Sequence, residues 1–151
     1  YSARPFRLKR VPLLSKALIA LNSVILIILG YLMVTSDGLH EIPAYVYLFL
    51  AGFTLVINFI DIKDYKGDKK AGILTLPVLL GERDSKLLIG LFFVAVYPMI
   101  YFIAPGLWLV GLLFGILIFY LINRKNYKES YVFLAYISSL LLLFTYLLFI
   151  I

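Results

Sequence analysis

The stretch "PAYVYLFLAGFTLVINFIDIKDYKGDKKAG", residues 43–72, changes character at its middle. Residues 43–60 carry no charged side chain, whereas residues 61–72 hold three aspartates and four lysines. A helix of about 20 apolar residues is long enough to cross the hydrocarbon core of a bilayer. The stretch therefore predicts a transmembrane helix that meets a concentrated group of charges at the membrane surface. We call residues 58–72 the aspartate motif.

The composition of the whole chain also indicates a membrane protein. Of its 151 residues, 64% are hydrophobic and only 15% are charged. A soluble domain is about half apolar and a quarter charged. The absence of cysteine excludes disulfides and thiolate metal sites, and the single histidine, His40, cannot form a metal cluster alone.

Five apolar segments are long enough to span a bilayer: residues 17–35, 43–60, 87–104, 106–122 and 131–151. Each must be helical, because a backbone in lipid has to satisfy its hydrogen bonds within its own segment. The sequence "GILTLPVLLG", residues 72–81, is too short to span, and its Pro and Gly predict a loop or short interfacial piece. We therefore predict one all-α domain, a polytopic transmembrane helix bundle, with residues 61–86 as a motif loop.

The basic residues all fall on one side of this arrangement. Five of the 14 Lys and Arg precede the first span, six lie between the second and third, and three between the fourth and fifth. Lys and Arg accumulate in cytoplasmic loops. This segregation predicts an integral membrane protein with the aspartate motif on the cytoplasmic side. It also explains the net charge of +6, so we expect no nucleic-acid partner.

The spacing of the aspartates matters if the second span continues as a helix. At about 100° per residue, Asp61, Asp64 and Asp68 fall within an arc of about 60°, and Asn58 extends that face to about 120°. Mg²⁺ prefers oxygen ligands and typically binds one or two carboxylates together with substrate phosphates. The spacing is compatible with a magnesium–diphosphate site. A solvated charged loop is the alternative that spacing alone leaves open.

The longer phrase "NFIDIKDYKGDKKAGILTLPVLLG", residues 58–81, resembles the second aspartate-rich motif of the UbiA-type intramembrane prenyltransferases. That pattern is approximately D-x-x-D-x-x-G-D-x-x-x-G-x-x-T/S-L-P-V-x-x-G. The matching residues are Asp61, Asp64, Gly67, Asp68, Gly72, Thr75, Leu76, Pro77, Val78 and Gly81. Lys66 stands where some branches have Glu, so this position cannot supply a carboxylate ligand. "YSARPFRLKR", residues 1–10, is similar to the family's basic segment before its fifth helix, although Pro5 occupies a position where some members have Tyr.

The resemblance covers the chain in order and implies half of a nine-helix bundle, helices five to nine. Such proteins carry a first motif, approximately N-D-x-x-D-x-x-x-D, after the second helix, and this sequence has none. We therefore expect a piece of a longer protein whose N-terminal half carries that motif.

The resemblance also implies an enzyme that moves an isoprenyl group from an isoprenyl diphosphate to an aromatic or lipid acceptor, with Mg²⁺ assisting the loss of diphosphate. The implied metal-binding and catalytic residues are Asp61, Asp64 and Asp68. Candidates for diphosphate binding are Asn58, Lys9, Arg10 and Arg7, the last three through charge-assisted hydrogen bonds or, alternatively, only as orienting charges. Candidates for the prenyl pocket are Phe53, Tyr97 and Tyr101, since aromatic faces stabilise cations; ordinary packing is the alternative for each.

Two other functions have sequence tests. A CDP-alcohol phosphotransferase also holds metal and diphosphate with aspartates, but its motif needs D-G-x-x-A-R, which this chain lacks. A non-enzymatic transporter or scaffold half predicts no Mg²⁺-dependent binding of prenyl diphosphate. The residues upstream of Tyr1 discriminate, because only a prenyltransferase requires the first aspartate motif there.

Overall fold

A computed structural model describes residues 11, 13–34, 44–102 and 104–150, and this part of the chain contains helices and no strands. The α-helices are α1 Leu14–Val34, α2 Ala44–Val56, α3 Asp61–Ala71, α4 Leu76–Leu80, α5 Glu82–Val96, α6 Trp108–Asn123 and α7 Glu129–Ile150. Three 3₁₀ segments, Ile57–Ile60, Tyr97–Phe102 and Pro105–Leu107, join some of them. The predicted all-α class is confirmed.

Four helical segments of the described chain are long and apolar enough to cross a membrane: Leu14–Met33, Val46–Ala71, Pro105–Asn123 and Glu129–Phe149. They correspond to four of the five predicted spans. The predicted span 87–104 coincides with α5 and the 3₁₀ segment after it. This α-helix changes to a 3₁₀ turn after Val96, because Pro98 has no amide hydrogen to donate and its ring clashes with the carbonyl four residues earlier. That α5 crosses the membrane stays a prediction.

The second span and the aspartate motif form one continuous helical rod. α2 passes through the 3₁₀ segment Ile57–Ile60 directly into α3, so the predicted motif loop 61–86 is largely helical. α3 ends where Gly72 adopts a left-handed conformation with φ of 65°, which glycine takes without steric cost. The Ile73 N–H then donates to the Asp68 carbonyl at 2.9 Å. The end of the helix is therefore set by glycine and not by the change from apolar to charged side chains.

The buried core lies where α5 and α6 meet the second span and α7. Its fully buried apolar side chains are Ile89, Phe93, Ile118, Ile122 and Val132. Phe59, from the 3₁₀ segment Ile57–Ile60, packs edge-on against Phe93 with 5.9 Å between ring centroids. This contact fixes the base of the aspartate motif against α5.

Gly115 determines how closely α6 approaches α5. A Cβ atom at this position would lie 2.8 Å from the Phe93 carbonyl oxygen and 3.1 Å from the Val94 Cα atom. Both are backbone atoms and cannot rotate away. Small residues permit such close approach between helices in membranes, so a larger residue at 115 must push the two helices apart.

We predict that Gly115→Ala lowers the free energy of unfolding by about 1–3 kcal/mol, because the added methyl group overpacks this contact. Gly30→Ala is the matched control, since a Cβ at Gly30 meets no atom within 4 Å. Thermal unfolding of the complete protein in detergent measures both effects. An unchanged or higher Tm for Gly115→Ala would contradict the prediction.

Candidate functional site

The three motif aspartates lie on α3 but in different environments. Asp61 and Asp68 are each only 5% exposed, whereas Asp64 is exposed. Seven helical residues bring a side chain back to within about 20° of its starting direction, so Asp61 and Asp68 share one face two turns apart. Asp64 lies about 60° to the side. The predicted loop is a helix here, which is the condition under which the aspartate spacing gathers these side chains, and two of the carboxylates face the protein.

A buried ion pair joins Asp61 to α1. The Lys16 ammonium lies 2.7 Å from Asp61 Oδ1, and the two side chains are 10% and 8% exposed. Buried charges are tolerated when they are paired at good geometry. In the sequence, Lys16 is one of the five basic residues before the first span, and nothing in that position predicted it as the partner of Asp61. The one feature that distinguishes it from the other four is that it directly adjoins the first apolar span.

Asn58 has a structural role at the junction between α2 and α3. Its side chain is almost completely buried, and its amide nitrogen donates to the Thr54 and Leu55 carbonyls at 2.8 and 2.9 Å. The junction needs these bonds because the 3₁₀ turn changes the hydrogen-bond pattern of the helix. The amide nitrogen is therefore engaged by backbone carbonyls. A role of Asn58 in binding diphosphate stays a prediction.

The connection between α6 and α7 is fastened to this junction. The Tyr127 hydroxyl donates to the Phe59 carbonyl at 3.0 Å, and the Lys63 ammonium lies 2.6 Å from Glu129 Oε2. The Lys86 ammonium also sits over the Tyr127 ring, 5.5 Å from its centroid. Burial, reinforced by the Glu129 carboxylate, raises the pKa of Tyr127 above its ordinary value of 10.0. The hydroxyl therefore stays protonated, and able to donate, up to a higher pH than that of an ordinary tyrosine.

Thr75 is a second buried polar residue near the motif. It precedes α4, which packs on α3, and its side chain is 6% exposed. Within the described part of the chain, Thr75 Oγ1 makes no hydrogen bond. Burying a hydroxyl without a partner costs about 1–3 kcal/mol. Thr75 therefore marks this region as one where a ligand or water would supply a missing contact.

The carboxylates suit a hard divalent cation, but they form only part of a site. Among the residues that the structure describes, no three His, Cys, Asp or Glu side chains lie close enough together to hold an ion. Mg²⁺ in phosphate sites usually takes one or two carboxylates, with phosphate oxygens and water completing the shell. Asp61 and Asp68 therefore fit a half-site, one that would need further ligands from elsewhere.

An apolar cavity of about 150 Å³ lies between α2, α5, α6 and α7. Phe53 and Tyr97, both predicted for a prenyl pocket, line it. The cavity has few polar atoms in its lining. The Tyr97 and Ser139 hydroxyls share a hydrogen bond of 3.2 Å, and Ser139 donates to the Tyr136 carbonyl at 2.7 Å. The Tyr101 side chain and residues Arg7, Lys9 and Arg10 lie outside the described part of the structure.

The chain is similar to known prenyltransferases. The sequence profile of the UbiA prenyltransferase family matches residues 1–140. Digeranylgeranylglyceryl phosphate synthase of Sulfolobus acidocaldarius is 32% identical over 130 residues, which cover 82% of this chain and 46% of that protein. The chain thus spans about half the length of this curated relative. No solved structure matches the chain significantly.

We predict that Tyr127→Phe lowers the free energy of unfolding by about 1 kcal/mol, the usual contribution of one hydrogen bond. Tyr120→Phe is the control, because Tyr120 is 63% exposed on α6. Unfolding of the complete protein in detergent is compared between the variants at neutral and alkaline pH.

The difference in unfolding free energy between wild type and Tyr127→Phe should become smaller at alkaline pH. Tyr127 ionises near pH 10 in the unfolded chain but only at higher pH in the folded one. Below pH 10 its contribution is complete, and it decreases as the pH rises towards the folded pKa. A constant difference between wild type and Tyr127→Phe across this range would contradict the assignment.

Proposed function

The chain belongs to the UbiA prenyltransferase family, and from this we propose that it forms half of the active site of an intramembrane prenyltransferase. The enzyme would transfer an isoprenyl group from an isoprenyl diphosphate to a hydrophobic acceptor. The observation that carries the proposal is the burial of Asp61 and Asp68 on a helix that continues directly from an apolar span. A solvated acidic loop would leave these carboxylates exposed.

We propose Mg²⁺ as the cofactor, since family members generally use a divalent metal. Diphosphate is a poor leaving group until its charge is neutralised, and bound Mg²⁺ supplies that Lewis acidity. Asp61 and Asp68, two turns apart on α3, would each supply a carboxylate to the metal–diphosphate site, with Asp64 between them in the chain. Lys9, Arg10 and Arg7 would add charge-assisted hydrogen bonds to phosphate oxygens.

The remaining ligands would come from an N-terminal half with the first aspartate motif. Two facts support this arrangement: the chain covers 46% of its relative, and the described carboxylates suffice only for a half-site. The grouping of all basic residues on one side supports a cytoplasmic position for the motif. A CDP-alcohol phosphotransferase finds no support in these observations.

We assign the prenyl tail to the cavity that Phe53 and Tyr97 line. Phe53 precedes Asp61 by eight residues, which is about 12 Å along a helix. A diphosphate at Asp61 would therefore place the first isoprene units of its tail near this cavity, inside the apolar span. The name of the archaeal relative denotes the synthesis of a glyceryl phosphate lipid. This similarity favours a lipid acceptor over an aromatic one.

We expect Asp68→Asn to reduce turnover by about 100-fold or more, because a metal ligand contributes several kcal/mol to stabilising charge in the transition state. Asp84→Asn is the matched control, since Asp84 is an exposed aspartate in the first turn of α5. Prenyl transfer by the complete protein is measured with Mg²⁺, several prenyl diphosphates and a glyceryl phosphate acceptor. Normal turnover by Asp68→Asn would refute the proposed site.

Val110→Trp should shorten the preferred prenyl chain, because Val110 lines the cavity and the larger side chain fills it. We expect kcat/KM to fall at least about tenfold more for a 20-carbon than for a 10-carbon diphosphate, equivalent to 1.4 kcal/mol. Leu113→Trp on the same helix is the control, since Leu113 is 59% exposed. Equal chain-length profiles for the two variants would place the tail elsewhere.

A further inference from the structure

Lys16 is the one buried basic side chain in the described part of the structure, and its ammonium lies on Asp61. We infer that Lys16 competes with a divalent cation for Asp61 and so weakens metal binding at this half-site. The inference rests on the proposed function, because it takes Asp61 to be a metal ligand. Lys16 would then set the metal affinity of the site without touching the metal itself.

The distances bring the two cations close enough to repel each other at this carboxylate. The ammonium nitrogen is 2.7 Å from Asp61 Oδ1, and Mg²⁺ requires carboxylate oxygens at about 2.0–2.1 Å. An ion bound to Asp61 would therefore lie within a few ångströms of the ammonium. The two side chains are 10% and 8% exposed, so water and salt screen this repulsion weakly.

Lys63 does not share the contact that Lys16 makes with Asp61. Lys63 lies on α3, two residues after Asp61, but its ammonium contacts Glu129 at 2.6 Å and its side chain is half exposed. Lys16 reaches Asp61 from a different helix, 45 residues earlier in the chain. A flexible four-carbon stem lets a lysine ammonium withdraw when another cation takes its place. Replacing Lys63 by methionine therefore removes the same charge as replacing Lys16, but leaves the ion pair between Lys16 and Asp61 in place.

A fixed structural pair would behave differently. Replacing both partners of a buried ion pair by neutral groups is often close to neutral for stability, whereas removing one partner is strongly destabilising. A purely structural pair would show this pattern in stability and leave metal affinity untouched. Competition predicts a change in metal affinity that depends on Asp61.

The test measures the affinity of the complete protein in detergent for Mg²⁺, by calorimetry in the absence of substrate. Lys16→Met keeps an unbranched apolar side chain about as long as the carbon stem of lysine and removes the ammonium. We expect it to bind Mg²⁺ at least about tenfold more tightly than wild type, because a neighbouring positive charge is lost from a poorly hydrated carboxylate. Lys63→Met, the matched control, should bind with wild-type affinity.

The same substitution in an Asp61→Asn background shows whether Lys16 affects Mg²⁺ affinity through its contact with Asp61 or only through its charge. Adding Lys16→Met to Asp61→Asn should give no gain in Mg²⁺ affinity. The double variant removes both charges of the buried pair, so it should fold even if Lys16→Met alone is unstable. Unchanged affinity in Lys16→Met, or an equal gain in Lys63→Met, would overturn the inference. So would a gain from Lys16→Met that persists without Asp61.

Prenyl transfer by the same preparations distinguishes this failure from failure of the proposed function. If Lys16→Met binds Mg²⁺ like wild type while wild type turns over normally, the competition is refuted and the enzyme assignment stands. If no variant binds Mg²⁺ and wild type shows no transfer, both are refuted.

Discussion

A carboxylate buried at the end of an apolar helix is costly unless a cation accompanies it, and this constraint organises the end of the bundle that carries the aspartate motif. Asp61 and Asp68 are buried on the face that α3 turns towards the rest of the protein. Lys16 meets Asp61 by extending from the first turn of α1, so the pair also fixes where α1 begins relative to the motif. In the enzyme that we propose, a metal ion would meet the same demand for positive charge.

The same end of the bundle is held by contacts from segments far apart in the chain. Asn58 satisfies carbonyls at the 3₁₀ junction, and Tyr127 binds the Phe59 carbonyl from the connection before α7. The Lys63–Glu129 ion pair adds little to this support, because the Lys63 side chain is half exposed and solvent weakens surface ion pairs. A junction supported from several helices keeps the buried aspartates at a constant orientation, which a metal and diphosphate site requires.

Hydropathy was sufficient to locate four of the helices that are able to cross a membrane, because only long apolar segments satisfy their backbone hydrogen bonds in lipid. Hydropathy did not predict how the helix after residue 86 ends, since α5 stops before Pro98 and the chain continues as a 3₁₀ turn. The charged residues 61–71 suggested a loop, yet the backbone stays helical up to Gly72. Charge by itself does not end a helix, whereas glycine in a left-handed conformation does.

The sequence by itself determined the helical class, the grouping of the basic residues and the family, because these depend on composition, order and a motif of fixed spacing. Helical geometry also gave the arc that the three aspartates share once the segment is a helix. Only the tertiary structure decided that Asp61 and Asp68 are buried while Asp64 is exposed, and that Lys16 is the partner of Asp61. Burial and pairing depend on how α1 and α3 pack, and no local pattern links two residues 45 positions apart.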